Sequence, residues 1–278
     1  MTPVTERGWN TGGMPDTSGY AFDNTSERAG SRYDVLESTY DPVTFARLAE
    51  LGVAPGMRCL EVGAGAGSVA AWLAERVGPD GSVLATDIEP RWLGELPAAG
   101  NVRVVRHDIT QEDLPEGRFD LIHARLVLLH LPERQAALDR MVRALRPGGR
   151  LVLDEFDCGW VPVLSAPSPE SAELFERMHD AVMGVLTRAG ADIRWGLHAY
   201  GALRATGLAE VASATWAEAW VGGSRGIRLH QVNIRDVGGQ LTGDGLTDDD
   251  LERCLRLLDD PSFAVNSYPL ITTWGRRR

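Results

Sequence analysis

The 278-residue chain contains no lysine; all 28 of its basic residues are arginine. That absence excludes a Walker-type phosphate lysine, a Schiff-base lysine and the phosphate-binding lysine of protein kinases. Cysteine is scarce and scattered. Cys59, Cys158 and Cys254 form neither a CxxC pair nor a His/Cys cluster, so no disulfide frame and no metal site is expected, and the three read as buried thiols. Long apolar runs are missing too. The richest, Leu126–Leu131, contains His130 and is far short of the roughly 18 residues of a membrane span. The first twenty residues lack a basic start followed by an apolar block, so no secretory signal is read and a cytoplasmic location is expected. Positive charge is in deficit: 39 acids against 28 bases give a net charge of −11, which disfavours a nucleic-acid partner. The basic run Arg276–Arg278 reads as a solvated tail.

What is present is an apolar content of 44%, enough for a full core. Residues 1–19 read as a flexible arm. Asn24 caps an expected helix to about Thr39; Asp41 caps a second, with Pro42 in its first turn and Gly52 at its end. From Met57 the pattern alternates. Strands are expected at Arg58–Val62, Ser82–Ile88, Val102–His107, Phe119–Ala124 and Leu151–Phe156, and helices at Ser68–Val77 and Pro132–Leu145, with a turn at Pro147-Gly148-Gly149. Continuous apolar strands between helices indicate a parallel sheet covered on both faces. Further on, helices are expected at Glu170–Ala189, His198–Thr206, Gly226–Gln240 and Thr247–Asp259, with strands at Glu210–Trp220 and Tyr268–Trp274.

The first strand runs into Gly63-Ala64-Gly65-Ala66-Gly67 and then a helix. Glycines at such a turn let a ligand lie against bare backbone, at the strand end where doubly wound sheets bind cofactors. Three details select the cofactor. The third glycine comes one residue too early for the dinucleotide spacing G-x-G-x-x-G. Glu61 points a carboxylate into the pocket, which suits a cationic ligand end and repels a pyrophosphate. Asp87 ends the second strand, where an acid accepts ribose hydroxyls.

With these residues the chain resembles the class I S-adenosylmethionine-dependent methyltransferases. The family's E/D-x-G-x-G-x-G matches Glu61, Gly63, Gly65 and Gly67, and its later acids match Asp87 and Asp108. The fourth-strand motif matches Phe119–Arg125, and the turn before strand five matches Leu145-Arg146-Pro147-Gly148-Gly149. Leu126–Pro132 and Leu151–Phe156 look like the UbiE-type small-molecule branch, and Gly19–Asn24 looks like its actinobacterial natural-product members. The resemblance covers about residues 40–157. It implies a Rossmann-like, doubly wound α/β sheet of seven strands, order 3-2-1-4-5-7-6 with the last strand antiparallel, carrying helical lid insertions. It implies an arm and lid helix at 1–40, the cofactor core at 41–157, and the rest of the sheet with insertions 158–207 and 221–267 at 158–278. It also implies S-adenosylmethionine as cofactor, with S-adenosylhomocysteine as product. Glu61 would face the cofactor's amino-acid portion, Gly63, Ala64, Gly65 and Gly67 its backbone cradle, Asp87 the ribose, and Ile88, Asp108 and Ile109 the adenine. Arg125 would face the methyl-transfer side, and His130 the cofactor.

For catalysis the candidates are Tyr20 on the arm, Glu155 at the end of strand five, and His230 in the insertion. Trp160, Trp195, Trp216 and Trp220 hint at a flat aromatic acceptor, indole- or phenol-like, methylated on C, N or O. The expected partner is a small molecule, with no nucleic acid and no membrane; a homodimer is allowed. A nucleic-acid methyltransferase would carry N/D-P-P-Y/F after strand four, where this chain has Ala124-Arg125-Leu126-Val127. Asp154, Glu155 and Asp157 are too weakly patterned for a magnesium site. Two readings stand as alternatives: a protein of the same fold acting as a cyclase or as a binding partner without methyl transfer, and an NAD(P)-dependent dehydrogenase.

Overall fold

The computed structural model describes residues 27–93, 100–241 and 245–278. The N-terminal element is one helix, α1 (Glu27–Glu50), followed by β1 (Arg58–Val62), α2 (Ser68–Val77), β2 (Ser82–Asp87), β3 (Val102–Arg106), β4 (Phe119–Arg125), α3 (Arg134–Ala144) and β5 (Leu145–Phe156). Next come β6 (Val163–Ser165), α4 (Pro169–Arg188), α5 (Trp195–Ala205), β7 (Ala209–Trp216), β8 (Ala219–Val221), α6 (Arg228–Leu241), α7 (Asp248–Leu257), β9 (Ala264–Asn266) and β10 (Leu270–Arg276). The main sheet runs β3-β2-β1-β4-β5-β10-β7, with β10 antiparallel to both neighbours. Counted within that sheet this is 3-2-1-4-5-7-6, the order expected. Two apolar layers cover the sheet, one built on Leu60, Ile122 and Leu151, the other on Cys59, Leu121 and Val152. A third cluster joins α4, α6 and α7 to the end of the sheet through Tyr40, Phe156 and Leu270.

Two expectations are corrected. The break at Asp41-Pro42 does not occur: α1 runs through Pro42. Tyr40, Thr44 and Leu48 are fully buried at spacings of four, so one stripe docks the helix on the sheet while Pro42 lies off it. That packing offsets the roughly 3 kcal/mol an interior proline costs. Asp41 is no cap; its carboxylate takes Arg125 at 2.8 Å and the Ser68 hydroxyl at 3.0 Å. The strand expected over Glu210–Trp220 is two strands. The second, β8, joins a small sheet of order β6-β9-β8, whose three-residue strands are too short to show a period. The Asn24 cap lies outside the described residues.

A buried polar row crosses the sheet. Glu61 on β1 is in register with His123 on β4, and its two oxygens lie 3.0 and 2.8 Å from His123 Nδ1. His123 Nε2 faces Asp154 Oδ2 on β5 at 3.3 Å. Asp154 also accepts the hydroxyls of Thr44 from α1 at 2.6 Å and Thr272 from β10 at 2.5 Å. Burial alone would lower the imidazole's pKa, but the charge and bonds of Glu61 and Asp154 outweigh it and raise it to about 9. Burial works to raise the Asp154 carboxyl, and the His123 and threonine bonds bring it below its ordinary value. His123 and Asp154 are therefore a charged pair at neutral pH. Asp154→Ala strips one counter-charge and orphans two hydroxyls; the expected loss is about 3–5 kcal/mol of folding stability. Urea denaturation checks this, and a loss under about 1 kcal/mol, the scale of an exposed pair, would contradict it.

Candidate active site

A cavity of about 710 Å³ opens at the carboxyl ends of β1, β2 and β4. Its floor is the loop between β1 and α2. Gly63, Gly65 and Gly67 all take positive φ, +67°, +56° and +99°. Gly65 shows why a side chain is not tolerated: a Cβ there would stand 3.1 Å from the Tyr33 ring of α1, in a left-handed conformation already costly for other residues. Past β4, Leu126 holds φ +55° on the cavity wall, the kind of strained position that gathers at functional sites.

The glycine-loop end is rich in acid. Asp87 is 8% exposed. Its Oδ2 accepts the Gly65 N–H at 2.9 Å and its Oδ1 the Glu89 N–H at 2.8 Å, so both oxygens are oriented. Burial nevertheless pushes its carboxyl up. Glu61, 1% exposed, also lines the cavity; burial raises its pKa against the pull of His123. Glu37 of α1 accepts the Ser68 N–H at 3.3 Å. That places a protein carboxylate at the N-terminus of α2, where a pyrophosphate would otherwise bind. The nearby cation, Arg125, is held by Asp41.

Of the expected cofactor residues, Glu61, Gly63, Ala64, Gly65, Asp87, Ile88, Asp108, Ile109, Arg125 and His130 all line this cavity. Asp108 spends Oδ1 on Thr110, accepting its N–H at 2.8 Å and its hydroxyl at 2.6 Å. His130 is half-buried, and desolvation with the neighbouring Arg32 pushes its pKa down to about 3; it is neutral. Gly67 does not line the cavity. It stands at the N-cap of α2, and its carbonyl accepts the Ala71 N–H.

Of the expected catalytic residues, neither Glu155 nor His230 lines this cavity. Tyr20 lies outside the described residues. Glu155 is fully buried and turned away from the cavity, accepting the backbone N–H of Leu128 at 2.9 Å and of Leu129 at 3.4 Å. It supports the turn after β4. His230 stands behind the wall, with Nδ1 3.1 Å from the Tyr268 hydroxyl, and burial pushes its pKa well below the ordinary value. The four tryptophans do not line the cavity either. Trp160 is exposed, Trp195 packs near Arg134, and Trp216 and Trp220 pack edge-on against Tyr40. Residues missed in the sequence are His123, Asp154, Glu37 and Asp41, and, at the far end of the cavity, Asn233 and Tyr268. The one local signal for His123 was a histidine inside an otherwise apolar strand. Among the described residues no group of three His, Cys, Asp or Glu could hold a metal ion, and no helix is long and apolar enough to cross a membrane.

Residues 60–151 match a family described as a methyltransferase domain. The chain is 34% identical over 121 residues to the ubiquinone/menaquinone biosynthesis C-methyltransferase UbiE of Ectopseudomonas mendocina, covering 41% of this chain and 47% of that protein. It is 35% identical over 112 residues to methyltransferase str3 of Strobilurus tenacellus, covering 40% and 39%. The chain thus spans less than half the length of these relatives. In fold it is similar to phosphoethanolamine N-methyltransferase 2 of Haemonchus contortus, solved with phosphomonomethylethanolamine and S-adenosylhomocysteine. That likeness has a TM-score of 0.55 at 12% identity, over 91% of this chain and 58% of that one. It is also similar to the YcgJ protein of Bacillus subtilis, with a TM-score of 0.53 at 17% identity, over 84% and 98%.

The Glu155 carboxyl provides a test of its supporting role. Burial raises its pKa from 4.5 to about 8, more than the Leu128 and Leu129 N–H groups lower it. Its stabilising contribution is then complete below about pH 4.5 and is lost as pH rises through about 8. Glu155→Gln removes this titration, so the variant's stability relative to wild type is expected to rise from about pH 5 to 8 and then level. A difference independent of pH in urea denaturation would contradict the assignment.

Proposed function

We propose that the protein is an S-adenosylmethionine-dependent methyltransferase acting on a small aromatic or heteroaromatic molecule. The observation that carries the reading is the acid-lined glycine loop: Glu61 and Asp87 face the cavity, and Glu37 fills the anion position at the N-terminus of α2. A ligand with a sulfonium, an ammonium and a ribose suits that lining; a dinucleotide pyrophosphate does not. The methyltransferase-domain match over residues 60–151 supports the same reading.

When bound, S-adenosylmethionine supplies a methyl group on a sulfonium, a good leaving group, which leaves alignment and exclusion of water to the protein. Asp87, with both oxygens oriented by backbone N–H groups, keeps lone pairs for ribose hydroxyls. Ile88 and Ile109 offer apolar walls to an adenine, with Asp108 at its edge. Glu61, braced by His123, faces the amino-acid portion, and the backbone of Gly63–Gly65 allows close approach. Arg125, fixed by Asp41, lies beside that portion, and neutral His130 adds a polar wall without charge. The helices α1, α4 and α6 cover the cavity and act as its lid. Glu155 and His230 are set back from the cavity, so neither of these two candidates stands at its wall to take a proton from an acceptor. An acceptor that is already nucleophilic at neutral pH fits that arrangement.

A thermal-shift series with S-adenosylmethionine, S-adenosylhomocysteine, NAD and NADP tests the reading. A ligand at about 100 times its Kd stabilises by roughly 2.7 kcal/mol, and the expected result is a shift with the two adenosyl compounds alone. A shift with a nicotinamide nucleotide would overturn it. Asp87→Ala is expected to weaken S-adenosylhomocysteine binding by about 1.5–3 kcal/mol, the scale of hydrogen bonds to a charged group. Unchanged calorimetric affinity would contradict the ribose assignment.

A further inference from the structure

The end of the cavity away from the glycine loop has a different chemistry. Phe156, Cys158, Met183, Leu186 and Leu229 line it, and two polar side chains stand among them. Asn233 is 8% exposed and Tyr268 2%. The Asn233 side chain stands beside the Tyr268 phenol and acts to lower its pKa, and the phenol oxygen lies 3.1 Å from His230 Nδ1. His230 Nε2 is buried with no partner among the described residues, and Phe175 and Trp220 set their rings edge-on against the imidazole. The ring is therefore fixed by packing, and its one polar contact among the described residues is the Tyr268 hydroxyl.

We infer that this end is the acceptor site for an uncharged, planar, apolar molecule with one hydrogen-bonding oxygen or nitrogen, which Asn233 and Tyr268 hold while His230 orients the phenol. The inference rests on the methyltransferase reading and adds the charge class of the acceptor and the residues that select it. Charge is excluded by the surroundings. Arg32, at the cavity edge, is neutralised by Asp236 at 2.5 Å, both side chains 5% exposed. His130 is neutral, and burial keeps the Cys158 thiol and the Tyr268 phenol protonated. A carboxylate or an ammonium placed here would be stripped of water with no counter-charge. A neutral polar atom, in contrast, meets a donor and an acceptor already in place, and an apolar analogue leaves them unpaired.

The test is calorimetry on the full chain with saturating S-adenosylhomocysteine, titrated with 2-naphthol, naphthalene and 2-naphthoate. Naphthol is expected to bind at least about tenfold tighter than either comparison, since one satisfied buried hydrogen bond is of that order. In the double variant Tyr268→Phe, Asn233→Leu the preference over naphthalene should fall below about threefold. His230→Leu should lose most of it, and His230→Gln, which keeps an acceptor beside the phenol, should restore it. Unchanged S-adenosylhomocysteine affinity in each variant shows that fold and cofactor end are intact. Absence of naphthol binding, naphthoate binding as tightly as naphthol, or a preference that survives the double variant would overturn the proposal. Failure of the wild type to bind S-adenosylhomocysteine would instead overturn the methyltransferase reading.

Discussion

The Glu61–His123–Asp154 row is the constraint around which the site is organised. It sets ionisable groups side by side where water does not reach, which is tolerable only because each has a partner. His123 bridges two acids on neighbouring strands, and the threonine hydroxyls on Asp154 bring in β10 and α1. A carboxylate facing the cavity is thereby tied to the helix above it. Arg125–Asp41 and Glu37–Ser68 fasten the same helix to β4 and α2. These contacts, with the Tyr40, Thr44 and Leu48 stripe, explain why α1 runs unbroken through Pro42. They also make α1 part of the site, since Tyr33 closes on Gly65 from above.

The cavity divides by chemistry along its length. At the glycine loop, acids on oriented backbone and a protein carboxylate at the helix N-terminus make a place for positive charge and hydroxyls. At the far end, apolar side chains surround a single neutral polar pair. On the proposed methyltransferase reading, that division would set a charged donor against acids and an uncharged acceptor in the apolar lobe.

The fold was legible where information is local. The elements from β1 to β4 and the glycine loop fell within a residue of their expected bounds, because apolar runs and punctuating glycines mark them; the Asp41 cap did not hold, and β5 starts at Leu145, through the expected Pro147-Gly148-Gly149 turn. The positions of Glu61 and Asp87 in the cavity followed from their places at strand ends. The partners of those residues were not legible. That Glu61 meets His123, and His123 meets Asp154, depends on the register between strands roughly sixty and thirty residues apart in the chain, which no local pattern encodes. Glu155 illustrates the opposite error. It ends the same strand as Asp154, but successive strand residues face opposite sides, so it turns to the Leu128–Leu129 backbone and not to the ligand. His230 was placed in the correct element yet one layer behind the wall. Asn233, one turn further along α6, is the polar residue of that helix that reaches the cavity.

The most direct measurement is a crystal structure of the protein at saturating S-adenosylhomocysteine. The expected result is the ribose on Asp87, the adenine between Ile88 and Ile109, the amino-acid portion toward Glu61, and the sulfur facing the lobe that ends at Asn233 and Tyr268. A ligand bound elsewhere, or an adenosine placed with its ribose away from Asp87, would contradict the assignment of this cavity as the methyl-transfer site.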